Sequence, residues 1–366
     1  MNSRHPDDFR GRALSALAAG ALALCVALCS ATETRAQSPP SAAADVSARL
    51  ASLIERVRAR PGDAAALTEA RTAGFELLRA GLFREASELF DAVREAAPND
   101  ADALYGGALA YFNLRRLTEA EMLARAAVRS LPATASGVAT KSAAGLARAD
   151  ALVLLGVVLA VRGDNTGALA AVTEAAQLAP SNFDAQLALG RARFGAGDPV
   201  GAAKAFRAAV ALRPSDTRAH FFLATAFEKA GDDAEALKAY RALVALDPNV
   251  AEGHLGMGVL LVKLGGERME EGIAALVRAV ALNGELYEAR VNLGRALVRA
   301  GRPAESIEHL RRAAELAPHN PEPHYQLAIA YRRLGRRAEA EAESALVKQL
   351  HEAHRGRTDA PPPDNN

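Results

Sequence analysis

Histidine, cysteine and carboxylate side chains are the groups in this sequence that could bind a metal ion or take part in catalysis. His220, His254 and His324 are far apart along the chain, and His351 and His354 lie close together near its end. A zinc site needs three or four ligands that converge on one point, and neither set has further ligands at a suitable spacing. We therefore predict no metal site and no cofactor, and we interpret the first three histidines as packing residues.

The sequence motifs that mark common enzyme sites are absent. The chain has no P-loop, no GxGxxG after a strand, and no GxSxG, HExxH or CxxC motif. Its two cysteines, Cys25 and Cys29, both lie in the N-terminal segment. The many carboxylates fall at helix positions that the helix dipole favours or that face solvent. We therefore predict a protein without enzymatic activity.

Residues 1–36 are predicted to be an export signal. Arginines in a basic start precede residues 13–31, an uncharged and largely apolar run, and residues 34–36 place small side chains where a signal peptidase cleaves. Cleavage would leave Gln37 at the start of an exported chain, periplasmic or secreted. The alternative is an uncleaved membrane anchor, because the apolar run is almost long enough to span a bilayer.

The charge and composition of the chain bear on its partners and its fold. Lys and Arg number 44 and Asp and Glu number 43, so the chain is close to neutral and gives no electrostatic argument for binding nucleic acid. No stretch after the N-terminal segment is apolar enough to cross a membrane. Ala, Leu and Arg dominate, and all three are strong helix formers. These properties predict an all-helical protein and give no reason to expect a nucleic-acid partner.

A short phrase ending in proline recurs along the chain with a constant spacing. Pro180, Pro214 and Pro248 are separated by steps of 34 residues, as are Pro98 and Pro132. We number the positions of each repeat so that this proline is position 32. The repeats then begin at Leu67, Ala101, Ala149, Phe183, Thr217, Ala251, Tyr287 and Pro321. A fixed period of this length is the signature of a solenoid built from repeated helix pairs.

Three other positions repeat for mechanical reasons. Positions 8 and 20 carry small residues, which allow two helices to cross closely. Position 15 carries the glycine expected after a helix that ends in a left-handed residue. The position-15 glycines are Gly81, Gly163, Gly197, Gly231, Gly265, Gly301 and Gly335.

From residue 67 to 348 this pattern resembles the tetratricopeptide-repeat (TPR) family. The resemblance implies an all-α fold, a right-handed solenoid of about eight helix-turn-helix repeats. We predict a linker and capping helix in residues 37–66, repeats one and two in residues 67–134, an insertion in residues 135–148, and repeats three to eight in residues 149–348. Residues 349–366 are predicted to be the end of the last helix and a disordered tail.

Two departures from the pattern carry structural predictions. The second half of the insertion, residues 142–148, could lengthen the following helix at its N-terminus. The sixth repeat has two extra residues in its turn and Gly284 in place of the terminal proline. We expect a longer loop between its two helices.

The resemblance also implies which residues bind a partner, because positions 2, 5, 9, 12 and 13 of the first helix line a concave groove in the family. The candidate partner-binding residues are Arg71, Phe75, Tyr105, Phe112, Arg191, Phe194, Phe221, Arg295, Tyr325 and Arg332. Arg191 and Arg295 are notable because they stand in mid-helix. A basic residue at position 13 is common in this family, and the dipole favours it near a helix C-terminus, so we interpret it as generic.

The predicted function is a non-catalytic protein–protein interaction scaffold or adaptor in the periplasm or cell envelope. It would bind a partner peptide or protein in the groove, with apolar anchors and a few guanidinium groups making the contacts. Contact with a membrane is expected only through an uncleaved N-terminal anchor. Two alternatives remain: a structural protein that self-associates, and an accessory subunit of an envelope enzyme or secretion complex.

Overall fold

The computed structural model describes residues 40–132 and 145–358, with side chains described from Ala48 to Pro132 and from Gly145 to Ala353. This part of the chain contains seventeen α-helices, one short 3-10 helix and no strand, which confirms the all-α prediction. None of these helices is both long enough and apolar enough to cross a membrane. The predicted export signal, residues 133–144, which include most of the predicted insertion, and the last eight residues lie outside the described part.

The chain divides into two compact units, an N-terminal unit that ends at Pro214 and a C-terminal unit that begins at Ser215. The helices of the N-terminal unit are α1 Pro40–Ala59, α2 Ala64–Arg79, α3 Phe83–Ala96, α4 Ala101–Asn113, α5 Leu117–Ser130, α6 Arg148–Val161, α7 Asn165–Leu178, α8 Phe183–Gly195 and α9 Pro199–Leu212. Helices α2, α4, α6 and α8 are the first helices of their repeats, and each packs against the helix that follows it.

The C-terminal unit continues the same alternation. Its helices are α10 Thr217–Ala230, α11 Asp233–Leu246, α12 Ala251–Leu264, α13 Met269–Leu282, α14 Tyr287–Arg299, α15 Pro303–Leu316, α16 Glu322–Arg333 and α17 Arg337–Thr358. Helices α10, α12, α14 and α16 are first helices. The last helix therefore runs to Thr358, into residues 349–366, where the sequence pattern predicts the end of the helix and a disordered tail.

Close helix crossing explains the small residues at position 8. A methyl group added at Gly190 would lie 2.5 Å from the ring of Phe206, and one added at Gly294 would lie 2.5 Å from the side chain of Leu310. Phe206 and Leu310 both occupy position 24 of the second helix and are almost completely buried. The large residue at position 24 thus fills the space that the small residue at position 8 leaves.

The turn between the two helices of a repeat requires a left-handed residue at position 15. All seven glycines at this position have positive φ, and in the second repeat, which lacks the glycine, Arg115 takes the same conformation at φ 62°. Around Gly81 the amide of Leu82 donates to the carbonyl of Leu77 at 2.9 Å and the amide of Gly81 donates to Leu78 at 3.1 Å. This pair of bonds is the Schellman motif, in which the left-handed residue closes the helix end.

The sixth repeat departs from this turn, as its two extra residues predict. Gly265 and Gly266 both have positive φ, and a 3-10 helix at Gly266–Arg268 precedes α13. The amide of Gly265 donates to Leu261 at 3.0 Å, in place of the Schellman pair. The missing proline has little consequence, because α13 ends at Leu282 without it.

Helix α1 covers the start of the first repeat and confirms the predicted capping helix. Its apolar residues Leu53 and Val57 are buried with Phe90 of α3 and Ala66 of α2 in one core. Arg58 adds a hydrogen-bonded ion pair with a glutamate of α3 across the same contact.

The helix after the insertion begins at Arg148, so the predicted N-terminal extension is wrong for residues 145–147. Gly145 has φ 84°, which no helix accommodates, and Leu146 is buried in the core instead. The guanidinium of Arg148 donates to the carbonyls of Val128 at 2.6 Å and Leu131 at 3.2 Å. This side chain therefore ties the start of α6 to the end of α5 beside the insertion.

Candidate protein-interaction surface

The candidate surface in each unit is the first-helix face, which we define as positions 2, 5, 9, 12 and 13 of the first helices. In the C-terminal unit, neighbouring first helices contact one another along the series α12, α14 and α16. A ligand lying across these helices would therefore meet the same positions in successive repeats. We describe the two units separately.

In the N-terminal unit, Arg71 is engaged inside the fold. Its guanidinium lies 2.5 Å from a carboxylate oxygen of Asp100, and both side chains are largely buried. A second nitrogen donates to the hydroxyl of Thr68 at 2.9 Å. Asp100 also accepts a bond from the amide of Ala103 at 2.9 Å, which caps the N-terminus of α4. Arg71 thus links the first repeat to the start of the second.

The aromatic candidates of this unit are also drawn into packing. Phe75 is half-buried and meets Phe90 edge to face, with ring centroids 5.2 Å apart. Phe112 is only 5% exposed and belongs to the core of the unit. Tyr105 is half-buried, and burial raises the pKa of its hydroxyl, with the carboxylates of Asp150 and Asp184 adding to the effect. Phe112 offers too little surface to hold a partner.

The remaining two candidates of the N-terminal unit lie on α8. Arg191 and Phe194 are both half-buried at positions 9 and 12 of the same helix. The next positions along this helix end, Gly195 and Ala196, are exposed. Phe194 therefore stands at the border between the first-helix face and the turn.

In the C-terminal unit the candidates are more accessible. Tyr325 is 52% exposed, and Arg332 on the same helix is exposed and donates to the hydroxyl of Ser344 at 3.1 Å. Phe221 is half-buried and packs edge to face on Phe222, with centroids 5.9 Å apart. Arg295 is half-buried and donates to the side-chain oxygen of Asn292 on its own helix. Tyr325 and Arg332 thus both lie on α16, and both side chains are exposed.

The residues at position 13 differ between the two units more clearly than the predicted partner-binding residues do. In the C-terminal unit every first helix ends in an exposed cation there: Lys229, Lys263, Arg299 and Arg333. In the N-terminal unit the same position holds Arg79, Asn113, Val161 and Gly195. A row of cations therefore borders the first-helix face of the C-terminal unit alone.

The histidines at position 4 have structural partners, in agreement with their interpretation as packing residues. The ring of His254 contacts the carbonyl of Pro248 at 3.0 Å, and Gln186 donates to the carbonyl of Pro180 at 3.0 Å from the same repeat position. His324 instead lies 2.7 Å from the carboxylate of Glu343 on α17. Within residues 40–132 and 145–358, no three His, Cys, Asp or Glu side chains form a group that could hold a metal ion.

Sequence reasoning missed the tyrosine–carboxylate bonds that occupy part of the surface. The hydroxyl of Tyr240 donates to the carboxylate of Glu228 at 2.9 Å. Glu228 is the acidic residue at position 12 of α10, so its carboxylate is already engaged within the fold. The hydroxyl of Tyr111 donates to Asp91 of the preceding repeat at 2.5 Å. Burial, reinforced by Asp91, raises the pKa of Tyr111 to about 12. A tyrosine at position 11 one repeat after an acidic residue at position 25 was the available sequence signal.

Comparison with known proteins identifies the repeats. A tetratricopeptide-repeat family model matches residues 72–135, 139–183, 187–251 and 261–321, which together make up more than half of the chain, and a second such model matches residues 297–351. No curated protein sequence matches the chain.

Solved structures with a similar fold include one of the APC/C hetero-tetramer Cut9–Hcn1, at 16% identity and a TM-score of 0.52, covering 77% of this chain and 52% of that one. At this identity the similarity bears on the fold alone. Two others are similar over shorter stretches. MamA residues 41 to the end, from Desulfovibrio magneticus RS-1, has 26% identity and a TM-score of 0.43, covering 46% of this chain and 94% of that one. YrrB, described as a TPR protein with an unusual peptide-binding site, has 19% identity and a TM-score of 0.43, covering 48% and 89%.

Proposed function

Because the chain belongs to the tetratricopeptide-repeat family, we propose that it is a non-catalytic scaffold that binds a partner protein or peptide on the first-helix face of its repeats. The observation that carries the proposal is the exposed surface of α16 and its neighbours. There Tyr325, which is 52% exposed, lies on the same helix as Arg332, whose side chain is also exposed. Aromatic and arginine side chains are the residue types that dominate binding energy at protein interfaces.

The chemistry of the surface suits a partner with both apolar and polar groups. Leu255, Val259 and Ile329 are half-buried at positions 5 and 9, and part of each side chain reaches the surface. Burying apolar side chains of a partner against them would supply most of the binding free energy. The arginines would fix the orientation of the partner through charge-assisted hydrogen bonds.

We also propose that the protein works outside the cytoplasm, in the periplasm or as a secreted protein. The support is the N-terminal sequence, with a basic start, an apolar run and a small-residue cleavage pattern. N-terminal sequencing of the protein recovered from its own cells tests this proposal. A chain that begins at Gln37 in the exported fraction agrees with it, and a full-length chain in the cytoplasm contradicts it.

The binding function can be tested with random peptides displayed on phage and selected on the immobilised full chain. Enriched peptides would then be measured against two double variants, Arg191→Glu/Phe194→Ala in the N-terminal unit and Tyr325→Ala/Arg332→Glu in the C-terminal unit. We expect at least one double variant to weaken binding by about tenfold or more, the loss typical of an interface anchor. Circular dichroism should show unchanged helicity in both.

A matched control comes from the second helices. Met122 on α5, Val200 on α9 and Val277 on α13 are exposed apolar residues away from the first-helix face. Alanine at these positions should leave the affinity of the selected peptides unchanged. If the second-helix variants abolish binding while both first-helix double variants retain it, the proposed surface is wrong.

A further inference from the structure

The row of cations at position 13 of the C-terminal unit carries an inference about the partner. This inference rests on the proposed function and concerns the same surface. Lys229, Lys263, Arg299 and Arg333 each lie in the last turn of a first helix, and all four side chains are exposed. The helix dipole favours a cation at such a site, so position alone does not demonstrate a binding role.

Two observations go beyond the dipole. First, all four first helices of the C-terminal unit have the cation, whereas only Arg79 is a cation at this position in the N-terminal unit, although its first helices have the same dipole. There the position-13 residues include Asn113, Val161 and Gly195. Second, Lys229 and Arg299 form no ion pair with any residue in the described part of the chain, whereas many other exposed arginines do.

The structure also fixes the side chain of Arg333 at the helix end that carries Arg299. The guanidinium of Arg333 on α16 donates to the backbone carbonyl of Val298 on α14. Val298 immediately precedes Arg299, so the bond holds the side chain of Arg333 beside the end of the helix that carries Arg299. Positive charges on adjoining helix ends repel one another, and an anionic ligand that pairs with both relieves the repulsion.

Lys263 adds the next cation, on α12. Its ammonium group lies 2.8 Å from a carboxylate of Asp233, and the lysine side chain is 59% exposed. The Asp233 side chain is 24% exposed, so the pair is partly buried, but the more exposed lysine leaves room for a second carboxylate at its ammonium group. Lys263 can therefore take part in binding an acidic partner.

The spacing of the helices predicts the spacing of the acidic groups. Packed helices have axes roughly 8–10 Å apart. A chain in the extended polyproline II conformation advances about 3.1 Å per residue with three residues per turn, so every third side chain faces the same way. An extended peptide that crosses α12, α14 and α16 therefore passes one first helix about every three residues.

We propose that the C-terminal unit binds an extended acidic segment of a partner protein. Carboxylates about three residues apart in that segment pair in turn with Lys263, Arg299 and Arg333, while Lys229 extends the row by one repeat. The intervening side chains of the segment rest on the half-buried apolar residues of the first-helix face. The N-terminal unit lacks the row and does not bind such a segment.

Labelled peptides of twelve residues, measured by fluorescence anisotropy with the full chain, test the proposal. One peptide carries glutamate at every third position, a second has the same composition with the glutamates adjacent, and a third has lysine in place of glutamate. We expect the spaced peptide to bind about tenfold more tightly than the clustered one, with an affinity that falls as salt is added. Equal affinity for the spaced and clustered peptides, tight binding of the lysine peptide, or no binding of either acidic peptide would overturn the proposal.

The variant Lys229→Gln/Arg299→Gln removes the two cations that have no acidic partner in the described structure. We expect it to weaken the spaced peptide by about tenfold at low salt and to leave helicity unchanged. The control Arg129→Gln/Lys204→Gln removes one arginine and one lysine, both exposed, from second helices of the N-terminal unit. An equal loss in both variants would show a general effect of net charge and would contradict a site at position 13.

The outcomes separate this inference from the proposed function. If phage-selected peptides lack acidic residues but still lose affinity for Tyr325→Ala/Arg332→Glu, the scaffold function stands and the acidic partner is wrong. If binding depends on neither the cations nor the first-helix residues, both proposals fail.

Discussion

The two units are built from the same helix pair, but the polar side chains of their first helices differ in whether they have partners within the fold. In the N-terminal unit Arg71 is bound to Asp100 at 2.5 Å, and Asp150 accepts a bond from Asn182 at 2.9 Å. In the C-terminal unit Lys229 and Arg299 are exposed, with no ion pair to any described residue. Arg71 and Asp150 therefore stabilise the fold in the N-terminal unit, whereas Lys229 and Arg299 remain accessible to a partner in the C-terminal unit.

The aromatic residues show the same contrast. Phe112 at position 12 is 5% exposed in the N-terminal unit, whereas Tyr325 at position 5 is 52% exposed in the C-terminal unit. Surface-facing positions of a repeat become core positions when a neighbouring side chain covers them. Position within the repeat thus limits where a side chain can lie, and the neighbours decide how much of it a partner could reach.

The largest expected effect concerns the helix crossing that both units share. Gly190→Ala and Gly294→Ala each place a methyl group 2.5 Å from a buried side chain, which is far inside van der Waals contact. We expect each substitution to lower the free energy of unfolding by about 1–3 kcal/mol, the range for overpacking. Urea denaturation followed by circular dichroism measures the change.

Gly195→Ala is the control for the crossing, because an added methyl group there has no neighbour within 4 Å. It should leave stability unchanged or raise it slightly, since alanine favours helix over glycine. If Gly190→Ala is as harmless as Gly195→Ala, the two helices separate more easily than the close contact indicates.

The next effect tests the contrast between the arginines. Arg71→Ala leaves the mostly buried Asp100 carboxylate without its cation, and hydrogen bonds to charged groups contribute about 1.5–3 kcal/mol. We expect a loss of about 2 kcal/mol in the free energy of unfolding. Arg332→Ala removes an exposed side chain and should change stability by less than about 0.5 kcal/mol.

Peptide affinity should show the reverse pattern. Arg332→Ala is expected to weaken phage-selected peptides that bind the C-terminal unit, and Arg71→Ala is not. If Arg71→Ala weakens those peptides without altering stability, Arg71 belongs to the interaction surface and the contrast between the units is wrong.

A smaller effect on stability is expected at the turn of the second repeat, where Arg115 replaces the glycine of position 15. Arg115 has φ 62°, in a region that costs a residue with a side chain about 1–2 kcal/mol. Glycine removes that strain but adds freedom to the unfolded chain, which offsets about 0.4–1 kcal/mol. Arg115→Gly should therefore stabilise the protein by up to about 1 kcal/mol, visible as a higher urea midpoint.

The converse substitution provides the control for this turn. Gly335→Ala places a side chain at φ 73° in the C-terminal unit and should destabilise the protein by an amount comparable to that strain. A stabilising Gly335→Ala would show that the turn tolerates side chains and that Arg115 is not strained.

The repeat period was sufficient to predict the helices, the turn glycines and the close crossing, because each follows from a local requirement of the helix pair. The prediction that Arg71 binds a partner, by contrast, could not anticipate its bond to Asp100, since the two residues are 29 apart in sequence and meet only after the repeats stack. The start of α6 was equally inaccessible to pattern reasoning, because Arg148 bonds to carbonyls on a helix before the insertion. Contacts between residues far apart in sequence thus determine the partner of Arg71 and the start of α6, which the repeat pattern did not predict.

The smallest effect at neutral pH concerns the tyrosine at the junction of the first two repeats. The pKa of Tyr111 is raised to about 12 in the folded protein, against about 10 in an unfolded chain. The neutral hydroxyl is therefore favoured by folding. Its contribution to stability is complete below pH 10 and is lost as the pH rises through the folded value.

Tyr111→Phe should flatten part of the fall in stability between pH 10 and pH 12, because phenylalanine has no proton to lose. The test compares urea midpoints of the two proteins across this range. Tyr240→Phe provides the same test in the C-terminal unit, since burial and Glu228 also raise the pKa of Tyr240. If neither substitution changes the slope, these hydroxyls titrate in the folded protein as they do in water. The bond from Tyr111 to Asp91 would then contribute nothing to the junction between the first two repeats.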